Sequence, residues 1–242
     1  MENGVEERKA SIRVFSANPW VMPPEPPEIL TVFREHGRLF ELPARRAFSC
    51  PSPGVALVEK GAAVCSFSGF DNKSHVFSLC LPGRAFGKLD PVSVEESEPA
   101  EARTLRPSSF LWVPRETWLE CIRSSVPMME ACAAASSRRH RCAMEGMVSN
   151  CTQTLDLRLR RFLYALIASH YEAGRREWNP CPIALTVTDI AKIVSASRGL
   201  VSCTLSGWAA QGLSKKDGRF LVFHTDLFRD FIEAGGVSPA LA

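Results

Sequence analysis

The sequence predicts an α+β protein in which a β-rich N-terminal half is joined by one long helix to a small, mainly helical C-terminal part. Three observations predict this order. Short apolar runs separated by turn signals extend from Leu42 to about Trp112, which is typical of a barrel or a sandwich. Residues 126–152 form one uninterrupted helical pattern, roughly 40 Å long at 1.5 Å per residue. Residues 185–222 then read as helix, turn, helix and hairpin.

Composition excludes several classes of protein. The 242 residues are 45% hydrophobic, which is enough for a real core. There is no run of eighteen apolar residues and no apolar segment near the N-terminus, so we expect neither a membrane span nor a secretory signal. Nine cysteines without Cys-x-x-Cys spacing argue against a disulfide framework and a zinc ribbon, and favour a cytoplasmic location.

Charge is distributed unevenly along the chain. Residues 153–242 contain 11 Lys and Arg against 8 Asp and Glu, whereas residues 1–152 contain 18 of each. The whole net charge of +3 therefore lies in the C-terminal part, which favours a polyanionic partner for that part.

The N-terminal half is predicted element by element. Residues 1–28 are polar and then proline-rich, which predicts a flexible or extended leader. A short helix and a connector follow over 29–40. The β signals are a strand at 54–61, a hairpin of 62–70 with 74–81 around 71–73, corners at 82–83 and 86–87, and strands at 102–105 and 110–113. Pro114 suits the first turn of a helix over 114–123.

The long helical pattern carries a heptad seam. Its members are Met129, Ala133, Ser136, His140, Ala143, Met147 and Asn150. The seam has few large aliphatic residues, and its small residues would let two helices approach closely. The seam predicts a homodimer formed through this helix. The alternative is an ordinary amphipathic helix packed on its own domain.

The C-terminal part carries a helix-turn-helix pattern, after a helix over 155–171 and a loop over 173–182. Thr188 is predicted to cap the first helix, with Asp189 adding negative charge at the helix start. Ser195 and Ala196 form the turn, and Ser197 caps a second helix that ends near 210. The predicted buried side of this second helix is Val201, Leu205 and Trp208. A second helix in this layout can lie in the major groove of DNA.

A basic hairpin follows the second helix. Gly212 suits a left-handed helix end, and Asp217-Gly218 predicts the turn of a hairpin over 214–222. Lys215, Lys216 and Arg219 flank this turn, as in a wing that contacts phosphates. The alternative is a small helical subdomain with a solvated basic loop. A last short helix is predicted over 227–233.

These residues resemble the Crp/Fnr family of bacterial transcription regulators. The specific matches are Leu57-Val-Glu-Lys-Gly61, Leu81-Pro-Gly-Arg-Ala-Phe-Gly87, and Leu185 to Leu213, in the family's order. The resemblance implies an N-terminal double-stranded β-roll like cyclic-nucleotide-binding jelly rolls, a long dimerisation helix and a C-terminal winged helix-turn-helix. It implies the boundaries 1–28 for the leader, 29–124 for the β-roll, 125–152 for the dimer helix and 153–242 for the DNA-binding domain. It also implies a homodimer on two-fold symmetric double-stranded DNA, contact with RNA polymerase, and a small-molecule effector in the roll.

The effector region departs from the family pattern. Lys88 follows Gly87 where cyclic-AMP-binding members have a ribose-binding Glu, and Glu95, Glu96, Glu98 and Glu101 would repel a phosphate. Cyclic AMP is therefore not expected as the effector. An iron–sulfur cluster is not expected either, because the first cysteine is Cys50 and no cluster spacing follows.

The sequence leaves three other hypotheses for the effector region. Haem is one possibility, with His75 or His140 as ligand, and a small organic or anionic molecule near Lys88, Arg103 and Arg139 is another. A sensor domain that has lost its effector is the third. The candidate effector-binding residues are His75, Gly87, Lys88, Arg103, Arg139 and His140.

The resemblance also assigns DNA-contacting positions. Arg198 can pair with a guanine, while Gly199 and Cys203 replace family residues that read bases, so a different half-site is expected. The base-facing residues are Arg198, Ser202 and Thr204, and Ser197 and Gly199 are further DNA-binding positions at the start of the same helix. The phosphate-facing set is Thr186, Thr188, Lys215, Lys216 and Arg219. Ser195 stands where glycine usually makes the turn, which predicts mild strain.

An enzyme is not expected. The five histidines lie apart, at 36, 75, 140, 170 and 224, whereas a metal site on a β-barrel needs clustered ligands. The sequence also shows no spacing of a nucleophile and a base.

Overall fold

The computed structural model describes residues 18–48, 53–68, 74–89, 101–171 and 176–233. The chain divides into two compact units, Met22–Ala143 and a C-terminal unit of Met144–Leu241 together with the segment ending at Val21. The first unit holds the β-rich half of the chain, and the second holds the helix-turn-helix.

The first unit is built on two antiparallel sheets. One sheet has the strand order β1-β7-β2-β5 and the other has the order β4-β3-β6. The strands are β1 (Arg38–Leu42), β2 (Gly54–Lys60), β3 (Ala63–Ser68), β4 (Ser74–Cys80), β5 (Ala85–Gly87), β6 (Glu101–Thr104) and β7 (Ser108–Pro114). The predicted strands are confirmed; the turn at 71–73 lies outside the described residues. The connector predicted at 39–40 is wrong, because these residues belong to β1, which pairs with β7.

Two apolar clusters fill this unit. The first lies under helices α1 (Pro27–His36) and α2 (Arg115–Arg123), where the rings of Phe33 and Trp118 are 5.6 Å apart. The second lies inside the roll, where Phe48 contacts Phe86 and Phe110 edge to face at 5.0 and 5.1 Å. Aromatic pairs in this arrangement add to the stabilisation that area burial provides.

The predicted flexible leader is wrong for the residues that the structure describes. The Met22 N–H donates to the Leu79 carbonyl at 3.0 Å, and Glu25 is a buried ion-pair partner of Arg139 at 2.7 Å. Trp20, in the other unit, is fully buried and meets Phe162 edge to face at 6.0 Å. The prolines keep this segment extended, but its apolar and charged side chains find partners far along the chain.

The long helix has the predicted extent. It is α3 (Val126–Thr152), and its buried residues recur at helical spacing at Cys132, Ala135, Arg139 and Cys142. One face therefore packs on the first unit. The other face carries the predicted seam.

In the second unit, α4 (Leu155–Ala168) is buried over most of its length. It ends three residues before the predicted residue 171. The Arg161 guanidinium donates to the Ser149 hydroxyl at 3.1 Å and to the Glu145 carboxylate at 3.2 Å. Burial lowers the pKa of Arg161, and the nearby Glu145 carboxylate opposes this shift.

The rest of the second unit is a winged helix-turn-helix. Helices α5 (Val187–Ile193) and α6 (Arg198–Ala210) precede a sheet with the strand order β8-β10-β9. Its strands are β8 (Trp178–Pro180), β9 (Ser214–Asp217) and β10 (Phe220–His224), and a 3₁₀ turn (Thr225–Phe228) and α7 (Arg229–Glu233) end the described chain. None of the described helices is long and apolar enough to cross a membrane.

Two sequence predictions are wrong in this unit. The sequence predicts a loop at 178–180, but β8 pairs with β10 at the sheet edge. It also predicts the hairpin turn at Asp217-Gly218. In the structure Asp217 pairs with Phe220, so the two turn residues are Gly218 and Arg219, and the second strand continues to His224.

Candidate DNA-binding surface and effector region

The first helix of the motif begins with a capping box. The Thr186 hydroxyl accepts a hydrogen bond from the Asp189 N–H at 3.1 Å, and the Asp189 carboxylate accepts one from the Thr186 N–H at 2.9 Å. The predicted cap at Thr188 is therefore wrong, because Thr188 lies inside the first turn of α5. The reciprocal bonds satisfy two donors at the helix start and fix the direction in which α5 enters the unit.

The turn between the two helices is strained and held from outside. Ser195 has φ +52°, which confirms the strain predicted for a non-glycine residue there. Arg158 of α4 donates to the carbonyl oxygens of Val194 at 2.8 Å and of Ser195 at 3.3 Å. The sequence reasoning missed this contact, because an arginine on one helix carries no signal for a turn 36 residues later.

Two polar bonds and one apolar face hold the second helix in place. Ser197 caps it as predicted, accepting from the Leu200 N–H at 3.3 Å. Its buried face is Val201, Leu205 and Trp208, as predicted. The indole N–H of Trp208 donates to the Asp156 carboxylate at 3.0 Å, which fixes the rotation of α6 on α4.

The opposite face of α6 is open to solvent along the turns next to its start. The exposed residues there are Arg198, Gly199, Leu200, Ser202 and Cys203. A Cβ built on Gly199 would meet nothing within 4 Å, so this glycine is not required by packing and leaves a gap on the exposed face. The Thr204 hydroxyl donates to the Leu200 carbonyl at 3.0 Å within the helix, so its proton is already used where a base contact was predicted.

The wing is basic and exposed. Gly212 has φ +72° at the end of α6, which confirms its predicted left-handed conformation. Lys216 and Arg219 project from the exposed hairpin. The Lys215 ammonium instead lies 3.7 Å from the centre of the Trp178 ring, a cation–π contact that holds this lysine against β8.

Three of the predicted effector-binding side chains have partners in the structure. Arg139 pairs with Glu25, Arg103 pairs with its strand neighbour Glu101 at 3.0 Å, and His75 stacks on Phe67 at 5.4 Å between ring centroids. The carbonyl of Lys88 accepts a hydrogen bond from Arg115. Residues 90–100, which include the predicted acidic segment, lie outside the described residues. Haem ligation by His75 or by the exposed His140 stays a prediction.

Gly87 is required by the roll corner itself. Its φ is +105°, and a Cβ there would lie 2.7 Å from the Gly54 carbonyl oxygen. This glycine therefore permits β5 to approach β2 closely, a structural role that is independent of any effector contact.

The predicted dimer seam lies on the exposed side of α3. Met129, Ala133, His140 and Met147 are exposed, whereas Ser136 and Ala143 are half-buried. Four apolar side chains along this side are 44–62% exposed: Val126, Met129, Met144 and Met147. The heptad count missed Met144, which a helix with 3.6 residues per turn places on the same stripe.

Taken together, α5, the strained turn, α6 and the basic hairpin define a winged helix-turn-helix protein. Solved structures with the same fold include FixK2 from Bradyrhizobium japonicum, at a TM-score of 0.66 and 20% identity over 85% of this chain and 99% of FixK2. The c-di-GMP-responsive global regulator CLP of Xanthomonas campestris matches at 0.63 and 16% identity, over 81% of this chain and 97% of CLP. A CRP/FNR-family transcriptional regulator from Thermus thermophilus matches at 0.58 and 15% identity, over 80% of this chain and 97% of that chain.

The chain therefore has the Crp/Fnr fold, with a β-roll, a long helix and a winged helix-turn-helix. This confirms the fold that the sequence resemblance implied. No family model and no curated protein matches the sequence, so its function is argued from its own residues.

Proposed function

We propose that this protein is a homodimeric, DNA-binding transcription regulator of the Crp/Fnr type, controlled through its β-roll. One observation carries the proposal. The solvent-facing start of α6, with Arg198 at its first turn, lies in the same unit as the basic hairpin. A recognition helix beside a positively charged hairpin is suited to a major groove flanked by phosphates.

Base reading falls mainly to Arg198. Its guanidinium can donate two parallel hydrogen bonds to guanine O6 and N7. Gly199 offers no side chain to read a neighbouring base, and Ser202 and Cys203 offer only short ones. We infer a half-site with one strongly specified guanine and relaxed selectivity beside it.

Phosphate contacts position the protein without selecting sequence. Lys216 and Arg219 are exposed and lack an ion pair among the described contacts, whereas Lys215 must leave Trp178 to reach a phosphate. The Thr186 hydroxyl accepts a bond in the capping box and still has a proton to donate. Each lysine or arginine that neutralises a phosphate adds about one to the salt dependence of binding.

The exposed apolar stripe of α3 supports the homodimer. Methionine side chains that are nearly half exposed cost little to bury and adapt to a partner surface. Two copies of the stripe can pack as parallel helices and present two recognition helices about 34 Å apart on one face of the DNA. The variant Met147→Glu should dissociate the dimer, whereas Ala134→Glu, exposed but off the stripe, should leave it intact; sedimentation velocity distinguishes the two.

An effector-independent regulator is the second candidate, and one observation favours it. Arg139, the most buried of the proposed effector-binding cations, is already neutralised by Glu25 within the same unit. An anionic effector at this point would have to displace that carboxylate. If the purified protein binds its DNA at full strength without added small molecules, the second candidate is preferred. Contact with RNA polymerase stays a prediction under both.

The test of the proposal is selection of DNA from a randomised duplex pool with the full-length protein. We expect a two-fold symmetric consensus. Arg198→Ala should lower affinity for it by about 1–3 kcal/mol and remove selectivity at one base pair in each half-site. Lys216→Ala should weaken all sequences alike and reduce the salt slope. Failure to enrich any sequence, with binding unaffected by either variant, would overturn the proposal.

A further inference from the structure

Two thiols face each other inside the β-roll. Cys65 on β3 and Cys80 on β4 are both buried, and their Sγ atoms are 3.9 Å apart. Cys65 pairs with Ser78 and Cys80 pairs with Ala63, so the two cysteines form a diagonal pair across antiparallel strands. The strand register shifts between Cys65 and Ser66, and such an irregularity bends the strand and disrupts the local hydrogen-bond ladder.

The surroundings of this pair are polar for the interior of a roll. The Ser78 hydroxyl is fully buried and lies within hydrogen-bonding reach of both thiols. A hydrogen bond from Cys80 lowers the pKa of Cys65, an effect that burial opposes. The bond with Cys65, together with burial, raises the pKa of Cys80. One sulfur of such a pair is therefore the better nucleophile, because the thiolate is the reactive form.

Ordinary packing explains a single buried cysteine, but it explains this arrangement less well. A buried cysteine normally behaves as a small apolar residue, and Cys132 fits that description, with its thiol directed at the Leu89 carbonyl at 3.6 Å. Two sulfurs 3.9 Å apart beside a buried serine hydroxyl are a different arrangement. Two buried thiols this close can form a covalent bond with each other.

We propose that Cys65 and Cys80 form a reversible disulfide when the protein meets a small peroxide, and that this bond alters DNA binding. A disulfide needs an S–S distance of about 2.05 Å, so the two sulfurs must approach by roughly 2 Å, through side-chain rotation and the irregular register at Cys65. Because both sulfurs are buried, the site admits small oxidants or requires local opening of the β3–β4 pair.

The reaction balances with one peroxide molecule. The Cys65 thiolate attacks a peroxide oxygen and breaks the O–O bond, which gives a sulfenic acid and a hydroxide that takes up a proton to become water. The Cys80 sulfur then loses its proton, attacks the sulfenic sulfur and releases a second water. The two thiols lose two electrons and two protons, and hydrogen peroxide is reduced to two waters. Two molecules of a small thiol such as glutathione reverse the bond by exchange: the first forms a mixed disulfide with one cysteine, and the second displaces that cysteine and leaves as oxidised glutathione.

The bond would act on the long helix through Cys142. This α3 residue belongs to the same buried cluster as Cys65 and Cys80, and its thiol is close enough to Cys80 to affect that residue's pKa. Drawing Cys80 toward Cys65 removes packing from Cys142 and so changes how α3 rests on the roll. This regulatory part of the inference rests on the proposed DNA-binding function.

The test uses the full-length protein, reduced without oxygen and then treated with equimolar hydrogen peroxide. Free thiols are blocked with N-ethylmaleimide under denaturing conditions, and peptides are mapped by mass spectrometry without reduction. We expect one dominant Cys65–Cys80 linkage, absent in Cys65→Ser and Cys80→Ser and retained in Cys132→Ser. Circular dichroism confirms that each variant is folded, and Cys65→Ala replaces any serine variant that is not. Unchanged thiols, or a dominant link to Cys142, would overturn the assignment.

DNA affinity is then measured on the same samples. The oxidised wild type should differ at least several-fold from the reduced form, Cys65→Ser should not respond, and dithiothreitol should restore the reduced value. A disulfide that leaves affinity unchanged refutes the regulatory part. Absence of DNA binding in every sample refutes the proposed function, while the peptide map still decides whether the disulfide forms.

Discussion

The buried ion pair of Glu25 and Arg139 predicts a large loss of stability when only its carboxylate is removed. The Glu25 side chain is 1% exposed and the Arg139 side chain 10%, and one guanidinium nitrogen lies 2.8 and 2.7 Å from the two carboxylate oxygens. Glu25 also accepts from the Ala85 N–H at 3.3 Å. Glu25→Gln keeps an acceptor oxygen and leaves the guanidinium without a counter-charge.

The expected magnitude follows from the burial. Breaking a buried pair by removing one partner costs about 3–5 kcal/mol, and the retained amide oxygen places Glu25→Gln near the lower end, at about 3 kcal/mol. For a unit of this size the midpoint of thermal unfolding should fall by roughly 10 °C. Urea unfolding at pH 7, followed by tryptophan fluorescence, measures the free energy directly.

The exposed pair of Glu101 and Arg103 is the matched control. Its side chains are 44% and 51% exposed, so Glu101→Gln should cost less than about 1 kcal/mol. The double variant Glu25→Met, Arg139→Met should recover most of the loss, because no buried charge is left unpaired. If Glu25→Gln costs no more than Glu101→Gln, then residues 22–28 are not anchored as described.

Three further perturbations test particular contacts. Arg158→Met removes the donor to the strained turn at Ser195 and should lower the free energy of unfolding of the second unit by about 1.5 kcal/mol in urea unfolding. An unchanged free energy of unfolding would show that the turn does not depend on these hydrogen bonds. Gly146→Ala should destabilise by about 1–2 kcal/mol, because its Cβ would lie 2.8 Å from Trp20 Cδ1 and this overpacking outweighs the helix-propensity gain. The control is Gly207→Ala, where nothing lies within 4 Å of the added Cβ and the free energy of unfolding should rise by up to about 1 kcal/mol. Equal effects of the two substitutions would contradict the close packing of Gly146 against Trp20. Burial raises the pKa of Cys181 to about 12 from 9.0, so the folded state keeps a proton that the unfolded state loses. The free energy of unfolding should therefore fall by about 1.4 kcal/mol per pH unit above pH 9. Urea unfolding of Cys181→Ala should lack this part of the pH dependence, and an identical pH dependence in the two proteins would refute the burial of this thiol.

Local signals in the sequence predicted the helix-turn-helix well. The cap at Ser197, the left-handed end at Gly212 and the strained Ser195 all depend on residues within one or two turns of the chain. The error at Thr188 was avoidable, because a capping box places the cap three residues before an acidic side chain, and Thr186 stands there before Asp189.

Features that depend on distant partners were missed. Glu25 and Arg139 are 114 residues apart in sequence, so a proline-rich stretch looked like a free leader. Strand β8 has only three residues and is defined by its pairing with β10 rather than by its own pattern. The Glu101 partner of Arg103, by contrast, is only two residues away on the same strand, where the alternation of side chains places both on one face.

The most direct test of the central claim counts protomers on DNA. A selected symmetric duplex is titrated with the full-length protein in sedimentation equilibrium. The titration is repeated with a second duplex, in which the half-sites are moved apart by about five base pairs, which is half a helical turn. We expect two protomers per first duplex and a large loss of affinity for the second, because half a turn places one half-site on the opposite face of the DNA. One protomer per duplex, with affinity that ignores the spacing, would contradict it.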